Sequence, residues 1–209
     1  SGVPVVLLDA RGEGVPAVVT DDVDGGRLAT HHLLTLGHER IAFIGDDPDN
    51  PLGFTAGGRR EEGYRQTMTE AGVSTPPGYV RHGPHVRSVA RRIAEELLAR
   101  RDRPSAIFAS SDTQALGVLE AARARGLDVP GDVSVVGFDD VEVSGYAGLT
   151  TVRQPLFESG RLGARVLLDA LDDGHLPEPR EHWLALELIE RSTTAPPRDG
   201  PGVVRTVRP

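Results

Sequence analysis

With 209 residues the chain can form one good-sized domain or two small lobes. It has no cysteine, which excludes disulfide stapling and thiolate metal sites and fits a reducing compartment, and its 4% aromatic content leaves the core to Leu, Val, Ile and Ala. The formal net charge is −8 and all 23 basic residues are arginine; no stretch concentrates them, so this chain alone is excluded as a strong binder of DNA or another polyanion. No apolar run approaches the ~20 residues of a membrane-spanning helix, and the first residues carry no signal-peptide pattern.

Val3–Leu8 reads as a buried strand. A domain seldom opens on an interior strand, so an earlier part of the protein is expected to be absent from this chain. Ala17–Thr20 is a second strand, followed by the acidic run Asp21-Asp22-Val23-Asp24. The spacing of Leu28, Leu33 and Leu36 predicts a helix over 24–36 that Gly37 closes. Ile41–Ile44 is a strand, and Asp46–Gly58 a Gly- and Pro-rich loop long enough to be functional. A helix follows from Arg59 to Ala71, a turn at Pro76-Pro77-Gly78, a short strand at Tyr79–Arg81 and an amphipathic helix over 88–100.

The stretch from Ser105 to Asp140 reads as strand, helix, strand. Ala106–Ala109 is apolar. Ser111-Asp112-Thr113-Gln114 fits a capping box, in which the Ser111 hydroxyl accepts from the Gln114 backbone N–H and the Gln114 side chain reaches back. Ala115, Leu116, Leu119 and Ala122 continue a helix that Gly126 ends. Val133, Val135, Val136 and Phe138 form the near-continuous apolar run of a strand covered on both faces. Val141–Gly148 is a loop, Leu149–Gln154 is extended, and Pro155 starts a helix to Leu171, with Gly174 as its stop. Leu184, Leu186 and Leu188 alternate as in a strand. From Ala195 the chain is Pro-, Gly- and Arg-rich, as in a disordered tail. Strands alternating with helices predict an α/β fold with parallel sheets.

Open α/β sheets bind ligands beyond the carboxyl ends of their strands. Asp139, directly after a buried strand, is therefore the strongest single site residue, while Asp140 beside it reads as solvated. Ser111 has a sufficient structural role as an N-cap and reaches the same edge. Phe54, in a polar loop, is either a lid or a plug over the core. Arg60 on its own reads as a surface arginine. His31, His32 and His38 do not converge as zinc ligands, and Asp46, Asp47 and Asp49 lack a calcium-loop pattern. No nucleophile elbow, P-loop or zinc-protease motif is present. No enzyme activity, cofactor or metal is expected.

In combination, VPVVLLD at 3–9, the block VVTDDVDGGRLATHHLLTLGHERIAFIG at 18–45, RREEGYRQTMTEAG at 59–72, the run 103–140, LTTVRQP at 149–155 and LIERSTTAPP at 188–197 resemble the effector-binding core of the lactose-repressor (LacI/GalR) family of bacterial transcription regulators. The resemblance implies a periplasmic-binding-protein-like fold of two Rossmann-like lobes with parallel sheets, the first incomplete. It assigns 1–40 and 155–180 to the N-terminal lobe, 41–149 and 183–194 to the C-terminal lobe, 150–154 to a crossover and 195–209 to the tail. A small molecule would bind between the lobes. By the same resemblance Asp24 is a first-lobe contact, Arg60 and Asp139 are second-lobe contacts, and Phe54 sits where residues vary with ligand type. Ser111 stands where many members carry Asn, and His85 where many carry a stacking aromatic; the usual proline before LTT is missing from Tyr146-Ala147-Gly148-Leu149. An Asp that accepts, an Arg that donates in a fork and an apolar face suit a sugar or sugar derivative, with a nucleobase or nucleoside second. The resemblance further implies a cytoplasmic homodimer, joined through helix 112–125 and the 141–148 loop, that controls operator binding by a helix-turn-helix domain absent from this chain. The alternative is the extracytoplasmic sugar-binding protein of a transporter.

Overall fold

A computed structural model of the chain describes residues 3–49 and 53–198. In chain order its elements are β1 (Leu7–Leu8), β2 (Ala17–Val19), α1 (Asp22–Thr35), β3 (Ile41–Asp46), α2 (Ala56–Glu70), β4 (Val80–Gly83), α3 (Arg87–Leu98), β5 (Ala106–Ala109), α4 (Asp112–Ala124), β6 (Ser134–Asp139), α5 (Glu142–Tyr146), β7 (Thr150–Arg153), α6 (Leu156–Asp172), β8 (Glu181–Trp183) and β9 (Glu187–Ile189). They fall into two compact units, divided after Asp21, Arg153 and Glu187.

The smaller unit holds a parallel sheet in the order β1-β2-β8, with α6 packed on β1 and β2. Its centre is β2, whose Ala17, Val18 and Val19 are buried. The expected buried strand over Val3–Leu8 shrinks to Leu7 and Leu8, the two residues in register with Ala17 and Val18. Val3, Val5 and Leu8 are exposed, so this run is not the interior strand its composition predicts.

The larger unit is built on a six-stranded sheet in the order β4-β3-β5-β6-β7-β9, with parallel pairing from β4 through β7. Alternate residues of its central strands face opposite layers. Ala42, Ile44, Ile107, Ala109 and Val135 pack with Leu97 of α3 and Val118 of α4. Phe43 faces the other way, stacking on Tyr64 of α2 at 5.5 Å and meeting Phe108 edge-on at 5.3 Å. On that side α1 and α2 cross at reciprocal glycines: a Cβ on Gly26 would collide with the Arg60 carbonyl, and one on Gly63 with the Val23 carbonyl. This close approach sets Asp22 opposite Arg60.

Several expected boundaries are corrected. The helix over 22–35 packs on α2 and belongs with the larger unit, so the first division falls at Asp21 rather than near residue 40. The 141–148 loop contains the short helix α5, because Asp112 Oδ2 accepts from the Val141 N–H at 2.9 Å and the Ser144 hydroxyl at 2.6 Å. The single strand expected over 184–188 is two strands in two sheets, β8 before it and β9 overlapping its end, because Leu184 N–H donates to Val19 while β9 joins the other sheet. Ala195–Arg198 are not a loose tail: the Ala195 carbonyl accepts from His38 and Ser134, its N–H donates to Ser134 Oγ, and Arg198 pairs with Asp128 and Asp132. The rest of the expected tail, from residue 199, lies outside the described residues.

Candidate functional site

Three parallel strands of the larger unit end in polar residues along one edge: β3 in Asp46, β5 in Ser110 and Ser111, and β6 in Asp139 and Asp140. Asp139 and Asp140 have φ of 112° and 56°, a region that costs a residue with a Cβ about 1–3 kcal/mol. The turn is held from both sides. Asp140 accepts from Arg153 Nε at 2.8 Å and pairs with Arg191 Nη2 at 2.7 Å, and the next N–H, of Val141, is bound by Asp112. Asp140 is thus clamped rather than solvated. Burial alone would raise its pKa; the hydrogen bonds and charges of the two arginines outweigh burial and hold it below the usual carboxylate range.

Arg60 is 5% exposed, contrary to its reading in isolation as a surface residue. Its Nε donates to Asp22 Oδ1 at 2.8 Å and its Nη1 to the Ser110 carbonyl at 2.7 Å. Asp139 Oδ1 lies 3.5 Å from Nη1, and the guanidinium carbon sits 3.7 Å over the Phe138 ring, a cation–π contact. The partners come from α1, from the residue that follows β5 and from β6, so the arginine is pinned in orientation.

A second chain of hydrogen bonds runs along the same edge. Ser111 caps α4 as expected, its Oγ accepting from the Gln114 N–H at 3.2 Å. The Gln114 side chain does more than close the capping box. Its Oε1 accepts from Ser110 at 2.9 Å and from Ser111 at 3.3 Å, and its Nε2 donates to Asp46 Oδ1 at 3.0 Å. The same oxygen of Asp46 meets His85 Nδ1 at 2.9 Å. That hydrogen bond is the main cause of a raised His85 pKa; burial opposes it, the charges of Asp46 and Asp139 add to it, and Arg60 subtracts.

Four of the six predicted residues, Arg60, His85, Ser111 and Asp139, therefore lie in hydrogen-bonded networks at this edge. Asp24 is exposed in the first turn of α1, two residues beyond Asp22. Phe54 is 71% exposed, which removes the reading of it as a plug over the core. Asp22, Asp46, Ser110 and Gln114 were not predicted. Asp46 carried the same signal as Asp139, a carboxylate ending an apolar strand, whereas Asp22 depends on the crossing of α1 and α2.

His32 and His38 serve packing: His32 Nε2 meets the Thr194 hydroxyl, and His38 meets Ser105, Ser134 and the Ala195 carbonyl. Among the described residues no three His, Cys, Asp or Glu side chains are grouped to hold a metal, and no helix is long and apolar enough to cross a membrane.

Residues 30–194 match the family described as periplasmic binding protein-like domain. The chain is 36% identical over 195 residues to the ribose operon repressor of Escherichia coli K12, a match covering 91% of this chain and 58% of the repressor. It is 37% identical to a LacI family transcriptional regulator from Mycobacterium smegmatis, covering 94% of this chain and 72% of that one with a TM-score of 0.80. A LacI family transcriptional regulator from Enterococcus faecium, solved with bound ribose, is 32% identical with a TM-score of 0.79, covering 92% of this chain and 71% of that one. The chain spans about 58% of the length of the curated relatives it matches. By sequence and by fold, this chain belongs to the LacI family of transcriptional regulators.

Proposed function

We propose that the chain is the effector-binding part of a bacterial transcriptional regulator, taking a sugar or sugar derivative at the carboxyl edge of the larger unit's sheet. One observation carries this reading: a buried arginine is fixed between Asp22, the Ser110 carbonyl and Asp139 over an aromatic ring, at the edge where α/β sheets receive ligands. A fork of donors beside acceptor-only carboxylates suits a ring bearing several hydroxyls. The family and the ribose named for two similar proteins support the same chemistry. The effector would control DNA binding by a helix-turn-helix domain outside this chain, in the cytoplasm, by favouring one of two conformations of the regulator. The active form would be a homodimer joined through α4 and the α5 segment, where Val141, Val143 and Tyr146 are exposed.

Calorimetric titration with D-ribose tests the site. Asp139→Ala and Arg60→Ala should each weaken binding by about ten- to a hundredfold, the worth of a charge-assisted hydrogen bond. Unchanged affinity in both variants overturns the assignment.

A further inference from the structure

We infer that the effector is an uncharged or amine-bearing polyol, and that this edge rejects phosphorylated and carboxylated sugars because the chain's own residues already occupy the features around Arg60 that would receive an anion. The inference rests on the sugar-binding reading above and narrows it.

Among the described residues, three features close to Arg60 ordinarily attract anions. The first is Arg60, whose guanidinium already lies between two carboxylates, Asp22 at 2.8 Å and Asp139 at 3.5 Å. Arg59, next on the helix, is rotated about 100° away from it. The second is the amino terminus of α2, where Thr55 supplies no side-chain cap. The Asp46 carboxylate stands against it, its Oδ2 3.0 Å from where a Cβ on Gly57 would lie, and so offsets the positive end of the helix dipole. The third is the amino terminus of α4. There the Ser111 oxygen takes the Gln114 N–H, and Asp112 adds a carboxylate in the first turn that is spent on Val141, Ser144 and Thr151.

Among the described residues, the charges around the guanidinium itself therefore favour the carboxylates. Asp22, Asp46 and Asp139 outnumber Arg60 and His85 even with the imidazole protonated, while Arg153 and Arg191, farther along the edge, are taken up by Asp140. Ionised carboxylates only accept hydrogen bonds, so the group that meets them has to donate. Hydroxyl and ammonium groups donate. A phosphate or carboxylate does not, and would lose its hydration to face like charge.

Matched sets of free ligands, titrated calorimetrically into the chain at neutral pH and physiological salt, test this. Suitable sets are ribose with ribose-5-phosphate, galactose with galactosamine and galactose-6-phosphate, and glucose with glucosamine, glucose-6-phosphate and glucuronate. Wherever a neutral sugar binds, its phosphate or carboxylate counterpart should bind at least tenfold more weakly, ~1.4 kcal/mol, and its amine counterpart as tightly or more so. In Asp46→Asn that gap should narrow, and an unchanged gap overturns the role of the filled helix terminus. An anionic member that binds as tightly as its neutral parent overturns the inference while leaving the sugar reading intact. Binding by no member of any set overturns the sugar reading, and this inference with it.

Discussion

Asp139 and Asp140 are neighbours on one turn with different tasks. Asp140 is clamped by Arg153 and Arg191, and that clamp holds the unfavourable backbone that leaves Asp139 beside Arg60. Adjacent identical residues carry no mark of this division in the sequence, because it depends on two arginines from distant segments. His38 poses the same problem. It is 1% exposed, and burial is the main cause of a pKa below 6.5, with His32 and Arg40 adding and the Ala195 carbonyl opposing. A histidine whose folded pKa is depressed contributes stability that is present above its unfolded pKa and is lost as pH falls, because the unfolded chain then binds the proton more readily. His32 is shifted in the same direction, mainly by burial, whereas His85 is shifted the opposite way. The urea midpoint should therefore fall more between pH ~7.5 and ~5.5 in the parent protein than in His38→Gln. Equal slopes would exclude His38 as a source of the acid sensitivity.

At the scale of elements, the site depends on how closely α1 approaches α2. Gly26 and Gly63 each sit where a Cβ would meet the other helix's backbone, and backbone cannot move aside as a flexible side chain can. Gly63→Ala should cost about 1–3 kcal/mol by overpacking, lowering the thermal midpoint by several degrees. It should also weaken sugar binding, since Asp22 would withdraw from Arg60. A midpoint within error of the parent would show that the helices can separate freely. Other elements were legible because their signals are local: the Ser111 cap, the Gly126 stop and the apolar β5 and β6 all lie where their residues predict. α5 was not legible, since the N–H of its capping residue Val141 and the hydroxyl of its Ser144 are satisfied by Asp112, about thirty positions earlier in the chain.

At the scale of the molecule, the acidic composition argues against a polyanion-binding surface, and the family membership supports the ligand-sensing role proposed above. The proposed dimer makes a prediction of its own. Tyr146 is 85% exposed on α5, with Val143 at 44% and Val141 at 36% beside it. Burying such side chains in a partner is worth about 1.5–3 kcal/mol each. Tyr146→Glu should then lower the mass measured by light scattering from dimer towards monomer, with the circular dichroism spectrum unchanged. A parent protein that is monomeric at every concentration measured would remove this face as a self-association surface.

By itself the sequence determined the α/β alternation, the parallel-sheet strands, the α4 cap, the family resemblance and the placing of Ser111 and Asp139 at the carboxyl edge of the sheet. Periodicity, capping and strand-end position act over a few residues and can be read in order. Only the tertiary structure decided that Arg60 is buried and shared between Asp22 and Asp139, that Gln114 links Ser111 to Asp46 and His85, and that α1 belongs with the larger unit. Those facts are pairings between charges and backbones far apart in the chain, where burial and geometry choose among partners that composition leaves equivalent.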